Sequence, residues 1–371
     1  MNYQRLGDYI REVNVRNSEL KVTKLVGLTI DKAFIPSVAN VIGTDLSNYK
    51  VIRKEQFACS LMQVSRDGKM PVAMFEEDEA IMSPAYPMFE VVDKAELLPQ
   101  YLMMWFSRKE FDREASFYAV GGVRGSLTWE DFCNLRLPIP SIARQREIVE
   151  EYETLSRRIR LNEQMIARLE ETAQALYRKM FVDGIDKENL PEGWRRGRLS
   201  EIANITMGQS PEGETYNLDG QGMIFYQGRT DFGRRFPTAR VYTTSPTRYA
   251  KEGDVLLSVR APVGDLNVAS HDCCIGRGLA SLKSQHNCQS YLFYQLQNLS
   301  NVFNVSDDEG TIFGSINKDD LFNIEIVVPT LQEMKLFEEK ASVIDKQIGI
   351  KDKEINNLTE LQSLLLARMG K

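Results

Sequence analysis

Two stretches of the chain carry hydrophobic residues in a heptad pattern. From Ile148 to Met180, and again from Phe337 to Met369, apolar side chains recur at alternating steps of four and three residues. A repeat of about 3.5 residues sustained over such a length predicts coiled-coil helices rather than surface helices. Each helix should contain about 38 residues and span about 57 Å. The predicted core positions are Ile148, Leu155, Ile159, Asn162, Ile166 and Leu169 in the first helix and Ile344, Ile348, Lys351, Ile355 and Leu358 in the second.

The two helices are expected to pair with each other in antiparallel orientation. In that register Asn162 faces Ile355 and Lys351 faces Ile166, which puts two polar residues in adjacent core layers. Central polar residues can fix the register of a coiled coil at some cost in stability, although tolerated defects are the alternative interpretation. Antiparallel pairing predicts two globular heads at opposite ends of a rod, about one and a half turns of B-DNA apart.

An internal repeat accompanies the heptads. Residues 125–180 and 314–369 align without a gap. In each copy a Gly-Ser turn and an acidic segment lead into an apolar strand, 135–139 or 324–328, which a proline ends. Ser141 and Thr330 stand where each long helix needs an N-cap.

The segments before the two copies follow one plan as well. LGDYI at Leu6 is similar to LSEIA at Leu199, KEQFACSLMQV at Lys54 to KEGDVLLSVRA at Lys251, and PQYLMMWF at Pro99 to QSYLFYQLQ at Gln289. The sequence therefore predicts an α+β protein with a pseudo-two-fold internal repeat, in which two antiparallel helices separate two β-rich domains. The predicted boundaries are 1–142 for the first domain, 143–181 for the first helix, 182–194 for a linker, 195–330 for the second domain and 331–371 for the second helix.

Composition narrows the class of protein. The 371 residues carry a net charge of −6, and no apolar run is long enough for a transmembrane helix. The polar N-terminal segment does not resemble a signal peptide, so a cytoplasmic location is expected. Cys273, Cys274 and Cys288 lie close in sequence to both histidines, His271 and His286. A zinc site there is one alternative; the spacing favours the other, small buried hydrophobic residues and no metal.

Charge is distributed unevenly along the chain. Between Met223 and Ala250 there are five arginines and one acidic residue, Asp231. A basic patch on an acidic protein is typical of a nucleic-acid surface, whereas a solvated strand with scattered charges is the alternative.

Catalytic motifs are absent from the sequence. It contains no [DN]-P-P-[YFW] motif of an amino-methyltransferase, no P-loop, no G-x-S-x-G and no H-E-x-x-H. The glycine-rich segment 120–126 is a weak signal, which indicates a turn or a backbone contact to phosphate. These absences favour a non-catalytic protein with no cofactor.

Several of these segments resemble a known family. The helix entries LRLPIPSIARQREIV at Leu135 and IEIVVPTLQEMKLF at Ile324 are similar to those of type I restriction-modification specificity subunits. So are LPEGWRRGRLSEIANITMGQSP at Leu190, GDVLLSVRAPVGDLNVA at Gly253 and IGRGLASL at Ile275. The resemblance covers nearly the whole chain. The second copy departs from the pattern of the first, with Val327 at the position of Pro138 and Met334 at that of Gln145.

The resemblance implies a role. Each globular domain would be a target recognition domain that binds one half of a bipartite site in double-stranded DNA. The helices would act as a spacer and would dock two methyltransferase subunits, in a complex that also contains restriction and translocase subunits. A specificity subunit of a type II enzyme (IIB or IIG-like) is an alternative, and a coiled-coil scaffold without a nucleic-acid role is another.

Arginine and glutamine suit bidentate contacts with guanine and adenine edges, while most arginine and lysine contacts go to phosphates. The predicted DNA contacts of the second domain are Gln209, Ser210, Gln227, Arg229, Arg234, Arg235, Arg260 and Arg277. Those of the first domain are Lys21, Lys24, Lys50, Arg53, Lys54, Arg66, Lys69 and Arg124.

Overall fold

The computed structural model describes residues 3–37, 43–62, 64–120, 125–299 and 315–370. Residue contacts divide the chain into two units, each of which mixes helices with strands. Unit 1 comprises Met1–Asn162 and Lys353–Lys371, and unit 2 comprises Glu163–Asp352.

Unit 1 is built around a four-stranded antiparallel sheet with the strand order β2-β9-β6-β7. Two smaller pairs, β3 with β4 and β5 with β8, lie beside it, and β1 pairs with β10. The strands are β1 Tyr3–Arg5, β2 Ile10–Glu12, β3 Val26–Leu28, β4 Phe34–Pro36, β5 Lys50–Arg53, β6 Phe57–Cys59, β7 Val72–Met74, β8 Glu79–Met82, β9 Met88–Val91 and β10 Arg136–Pro138. The short helices are α1 Val64–Asp67, α2 Pro99–Phe106, α3 Lys109–Ala119 and α4 Trp129–Asn134.

Aromatic side chains fill the core of unit 1. Phe57 and Phe89 stack face to face across neighbouring strands, with ring centroids 5.0 Å apart. Phe106 of α2 meets both rings edge-on, and Phe132 of α4 closes the cluster. Such edge-to-face contacts add to the burial of large apolar surfaces, so the two short helices are held against the sheet.

Unit 2 repeats the same sheet. Its four-stranded sheet has the order β12-β20-β17-β18, which is the order of unit 1 strand for strand. A second sheet, β13-β15-β14-β19-β16, contains a parallel pair, β14 with β19, and β11 pairs with β21. The strands are β11 Arg195–Arg198, β12 Ala203–Met207, β13 Tyr216–Asn217, β14 Met223–Tyr226, β15 Val241–Thr243, β16 Tyr249–Ala250, β17 Val255–Ser258, β18 Leu266–Val268, β19 Cys273–Ile275, β20 Leu279–Ser284 and β21 Glu325–Val328. The short helices are α6 Gln289–Asn298 and α7 Lys318–Phe322.

The internal repeat extends to individual hydrogen bonds. In unit 1 the Arg5 guanidinium donates to the side-chain oxygen of Asn134 over 2.8 Å, and in unit 2 Arg198 donates to Asn323 over the same distance. Both asparagines end a short helix that begins with a capping box, formed by Thr128 with Asp131 in α4 and by Asn317 with Asp320 in α7.

Two long helices, α5 Ile142–Phe181 and α8 Leu331–Arg368, coincide with the heptad segments. The predicted N-caps are confirmed, because the hydroxyl of Ser141 accepts from Arg144 N and that of Thr330 accepts from Glu333 N. Each of the eleven predicted core positions is buried or half-buried.

Parts of both long helices contribute to each unit. In unit 1, Arg158 of α5 forms an ion pair of 2.7 Å with Glu354 of α8, and Gln362 donates to Ser156 over 2.7 Å. In unit 2, the rings of Tyr177 and Phe337 meet edge-on, with centroids 5.7 Å apart. In unit 1 partner positions therefore rise along one helix as they fall along the other, which is antiparallel packing. Unit 2 has the same direction, because Glu170 of α5 is close enough to Asp345 of α8 for their charges to interact.

The cysteines are buried thiols. Cys59, Cys273, Cys274 and Cys288 are buried and Cys133 is half-buried. Burial raises the pKa of Cys273 to about 12 and that of Cys288 to about 11. Among the described residues, no cluster of three or more histidine, cysteine, aspartate or glutamate side chains has the placement of a metal site. No helix in the described part of the chain is both long and apolar enough to cross a membrane.

Candidate DNA interface

Four loops of unit 2 converge where strands end. Backbone hydrogen bonds join Gly208 to Leu279 (2.9 Å), Gln209 to Ile275 (3.0 Å), Gly276 to Tyr226 (2.8 Å) and Val259 to Gly278 (2.9 Å). We call residues 208–210, 226–229, 259–260 and 276–278 the loop cluster. Because β12, β14, β17 and β19 each deliver one of these segments, the two sheets together fix its position.

Glycines allow the backbones of the cluster to approach one another. A Cβ atom at Gly208 would lie 2.1 Å from the carbonyl oxygen of Gly276, and one at Gly278 would lie 2.8 Å from that of Gln227. Real Cβ contacts are longer than this, so any side chain at either position would push the loops apart. The IGRGLASL segment thus carries glycines for a steric reason.

Six of the eight residues predicted for the second domain lie in the loop cluster. Ser210 Oγ accepts from the backbone N–H of Arg277 over 3.3 Å, which joins two of the segments. The other members are solvent-exposed and carry the donors that suit base edges and phosphates. The six are Gln209, Ser210, Gln227, Arg229, Arg260 and Arg277.

Asp231 shapes the part of the cluster that carries Gln227 and Arg229. Its buried carboxylate accepts from the backbone N–H of Gln227 (2.7 Å) and of Gly228 (3.3 Å), and also from Arg240 Nε (3.0 Å). Arg229 itself forms an exposed ion pair with Asp265. An exposed pair contributes only about 0–1 kcal/mol, so a phosphate could replace the Asp265 carboxylate.

Arg234 and Arg235 lie outside the cluster, next to the long helices. Arg235 is buried and forms an ion pair of 2.6 Å with Asp345 of α8. Arg234 is exposed, and its charge, with that of Arg235, opposes the rise that burial causes in the pKa of Glu170 on α5. The prediction that Arg235 contacts DNA is therefore corrected: its guanidinium is already partnered and shielded from solvent.

Arg248 belongs with the cluster and was missing from the predicted contacts. Its carbonyl oxygen accepts from Ile275 N over 3.0 Å, and the neighbouring Thr247 hydroxyl donates to Gln209 O. Its place in the arginine-rich stretch was the only signal in the sequence. Within the part of the chain that the structure describes, no carboxylate forms an ion pair with Arg248, Arg260 or Arg277.

The prediction that Lys50 of unit 1 contacts DNA is also corrected. It is buried and donates to the carbonyl oxygen of Tyr86 over 2.9 Å. Burial lowers the pKa of its ammonium group, as expected for a cation withdrawn from water. Lys50 therefore supports the fold and is not available to a phosphate.

The remaining described candidates of unit 1 lie on its surface, most of them beside an acidic residue. Lys54 lines a groove of about 690 Å³ beside α5, and Arg124 lies outside the described residues. The others are exposed, and each pairs with a nearby acid: Lys21 with Glu19, Lys24 with Glu77, Arg53 with Glu79, Arg66 with Asp67 and Lys69 with Asp31.

The edge of unit 1 that corresponds to the loop cluster can be located by its hydrogen bonds. Leu127 N donates to Leu61 O over 2.9 Å, as Ile316 N donates to Val259 O over 2.9 Å in unit 2. Arg66 lies at this edge, because a Cβ atom at Gly125 would be 3.8 Å from its backbone nitrogen. Among the described unit 1 candidates, Arg66 therefore lies at the edge that corresponds to the loop cluster.

Comparison with known proteins decides the family. The model of the type I restriction modification DNA specificity domain matches residues 61–171 and again residues 191–360. This chain belongs to that family. The two matches fall on the two copies of the internal repeat, so the chain contains the family's domain twice.

Similar proteins are specificity subunits of type I restriction enzymes, in agreement with the family match. The type I restriction enzyme MjaX specificity subunit of Methanocaldococcus jannaschii is 27% identical over 383 residues, which cover 98% of this chain and 87% of the relative. The HindI specificity subunit of Haemophilus influenzae is 24% identical, over 55% of this chain and 47% of the relative. The S subunit of the type I restriction-modification system of M. genitalium shares the fold, with a TM-score of 0.62, 13% identity and coverage of 100% of this chain and 96% of that one.

Proposed function

We propose that this chain is a specificity subunit that reads a bipartite target in double-stranded DNA, with one recognition domain for each half-site. The twofold match to the DNA specificity domain carries the proposal. The loop cluster supports it for the second domain, because six predicted contacts converge there on a glycine-lined crossing of loops. Residues 1–142 and 195–330 are the proposed recognition domains.

The long helices are the proposed spacer and docking elements. Segments 143–181 and 331–371 would pair as an antiparallel coiled coil and separate the domains, with 182–194 as the linker. Their antiparallel contacts within each unit support this arrangement. We propose that two methyltransferase subunits dock on these helices and that restriction subunits join the complex in the cytoplasm. The chain itself would carry out no chemistry.

Salt dependence of DNA binding tests the loop cluster. Each phosphate that a protein neutralises contributes about −0.9 to the slope of log K against log salt. If Arg277 or Arg248 contacts phosphate, its replacement by alanine lowers the magnitude of that slope by about one. The measurement is a fluorescence anisotropy titration of a target-containing duplex, with the methyltransferase subunits present, at several salt concentrations.

Lys251→Ala is a matched control. Lys251 pairs with Asp272 at the opposite ends of β17 and β19 from the loop cluster, and like Arg248 and Arg277 it is exposed to solvent. Its removal should leave both affinity and slope unchanged. If Arg277→Ala and Arg248→Ala behave like this control, the loop cluster is not the DNA face.

A further inference from the structure

The loop between β14 and β15 is joined to the long helix α8 by an ion pair, and the ring of Phe236 lies beside Gly349 of the same helix. The guanidinium of Arg235 is buried, lies 2.6 Å from the Asp345 carboxylate and covers the ring of Phe293 on α6, with its carbon 3.5 Å from the ring centroid. The Tyr294 hydroxyl donates to the same Asp345 oxygen over 3.0 Å. A planar cation, a carboxylate and two rings thus form one junction between loop, α6 and α8.

Neighbouring residues extend this junction toward the loop cluster. The Asn267 amide holds Gly233 by two hydrogen bonds of 3.1 Å, one to its N–H and one to its carbonyl oxygen. Arg235 O accepts from Val268 N over 2.8 Å. Arg229, a proposed DNA contact, lies four residues before Gly233 on the same loop. This loop is therefore fixed both to the sheet and to helix α8.

The corresponding site of unit 1 has a different composition. The repeat alignment places Met103, Met104 and Ser156 where unit 2 has Phe293, Tyr294 and Asp345. All three line the groove of about 690 Å³, and Ser156 accepts from Gln362. In unit 2 Arg235 and Phe236 lie beside Phe293 and Asp345, at the place that corresponds to the unit 1 groove. The fastening of the loop to the helix is therefore a property of the second recognition domain.

We propose that Arg235 is a positioning residue that sets the register between the DNA-reading loop of the second domain and helix α8. The proposal rests on the DNA-reading function proposed above. Since the helices are the proposed spacer, a loop fixed to α8 presents Gln227 and Arg229 at a defined distance along the DNA. A loop released from α8 would accept more than one spacer length and would discriminate less well in the second half-site.

The test compares variants in the assembled complex with methyltransferase subunits. Binding is measured on duplexes with base changes in either half-site and with spacers one base pair shorter or longer. A mismatched base pair normally weakens binding by about five- to 150-fold. Arg235→Ala should bring this factor toward one in the second half-site only and flatten the spacer preference. The salt slope should stay unchanged, because Arg235 itself contacts no phosphate and the released loop keeps the exposed charge of Arg229.

Two further variants separate positioning from folding and from direct contact. Arg235→Met with Asp345→Leu removes both charges of the pair together, which preserves folding better than leaving one of them unpaired. The folded double variant should show the loss of second half-site discrimination and the flattened spacer preference expected of Arg235→Ala. Arg277→Ala should lower affinity and salt slope without changing the spacer preference.

The outcomes are distinct. Wild-type discrimination and spacer preference in a folded Arg235 variant would overturn the proposal, as would a salt slope reduced by about one. Loss of discrimination in both half-sites together would also overturn it. A wild-type complex without any half-site discrimination would instead refute the DNA-reading function itself.

Discussion

Asp231 illustrates how one buried side chain prepares the surface around it. Its two oxygens accept from two backbone N–H groups and from Arg240, so the turn that presents Gln227 and Arg229 is formed without DNA. Buried carboxylates of this kind are retained only where their hydrogen bonds are satisfied. Asp231, the one acidic residue in the arginine-rich stretch 223–250, is thus part of the candidate DNA interface.

Replacing Asp231 with alanine should destabilise unit 2 and weaken DNA binding. The backbone N–H groups of Gln227 and Gly228 would lose their acceptor in a part-buried turn, at about 0.5–1.5 kcal/mol for each hydrogen bond lost. Urea denaturation followed by circular dichroism measures the change. Asp265→Ala is the control, because it removes only an exposed ion pair and should cost less than about 1 kcal/mol. Equal losses for both variants would contradict this role.

Residue type is readable from the sequence, but burial is not. Arg235 and Arg277 look equivalent in a basic, loop-rich domain, and both were predicted to bind DNA. The structure separates them because Arg235 meets Asp345, which lies far along the chain on α8. Lys50 differs from its basic neighbours for the same reason, since the carbonyl oxygen of Tyr86 is its partner. Such pairings depend on the folded topology.

At the scale of elements, the sequence predicts a helix or strand well only where its hydrophobic pattern repeats many times. The heptads are local and repeat many times, so the extents of α5 and α8 can be read directly from the pattern. The strands are short, and their partners are distant. The parallel pairing of Phe225 with Cys274, for example, joins β14 to β19 across four intervening strands, two of which, β17 and β18, belong to the other sheet. No local pattern indicates that neighbour.

Asn162 interrupts the apolar heptad pattern of α5 with a polar side chain. It is buried, and its Nδ2 has no hydrogen-bond partner among the described residues. Asn162→Leu should therefore raise the free energy of unfolding by about 1–3 kcal/mol, the usual cost of an unsatisfied buried group. Urea denaturation of the whole chain measures it. Gln164→Leu, at an exposed position of the same helix, should change stability little, and a destabilised Asn162→Leu would show that its amide is satisfied in solution.

At the scale of the whole molecule, the repeat predicts modular recognition. Exchanging residues 1–142 for the matching domain of another specificity subunit should change only one half of the bipartite target. The exchanged piece keeps its terminal strand pair, β1 with β10, intact. Gln145 stays behind and must still find its partners at Leu98 and Glu96, so the donor domain should retain the backbone of that loop. Methylation-sensitive sequencing reads the new target, and a change in both halves would contradict independent domains.

The lengths of the helices should set the unread spacer of the target. Inserting four residues after Asn162 lengthens α5 by about 6 Å, at about 1.5 Å per residue, and introduces a stutter that locally unwinds the coil. Because the helices are proposed to pair, a matching insertion after Lys351 is needed to keep the apolar layers in phase. The doubly inserted protein should then prefer a spacer about two base pairs longer, at about 3.4 Å per base pair. The single insertion should misalign the layers and lower stability instead. Selection of targets from a duplex library with randomised spacer length measures the preference. An unchanged spacer in a folded double insertion would mean that the linker 182–194, and not the helix pair, sets the separation.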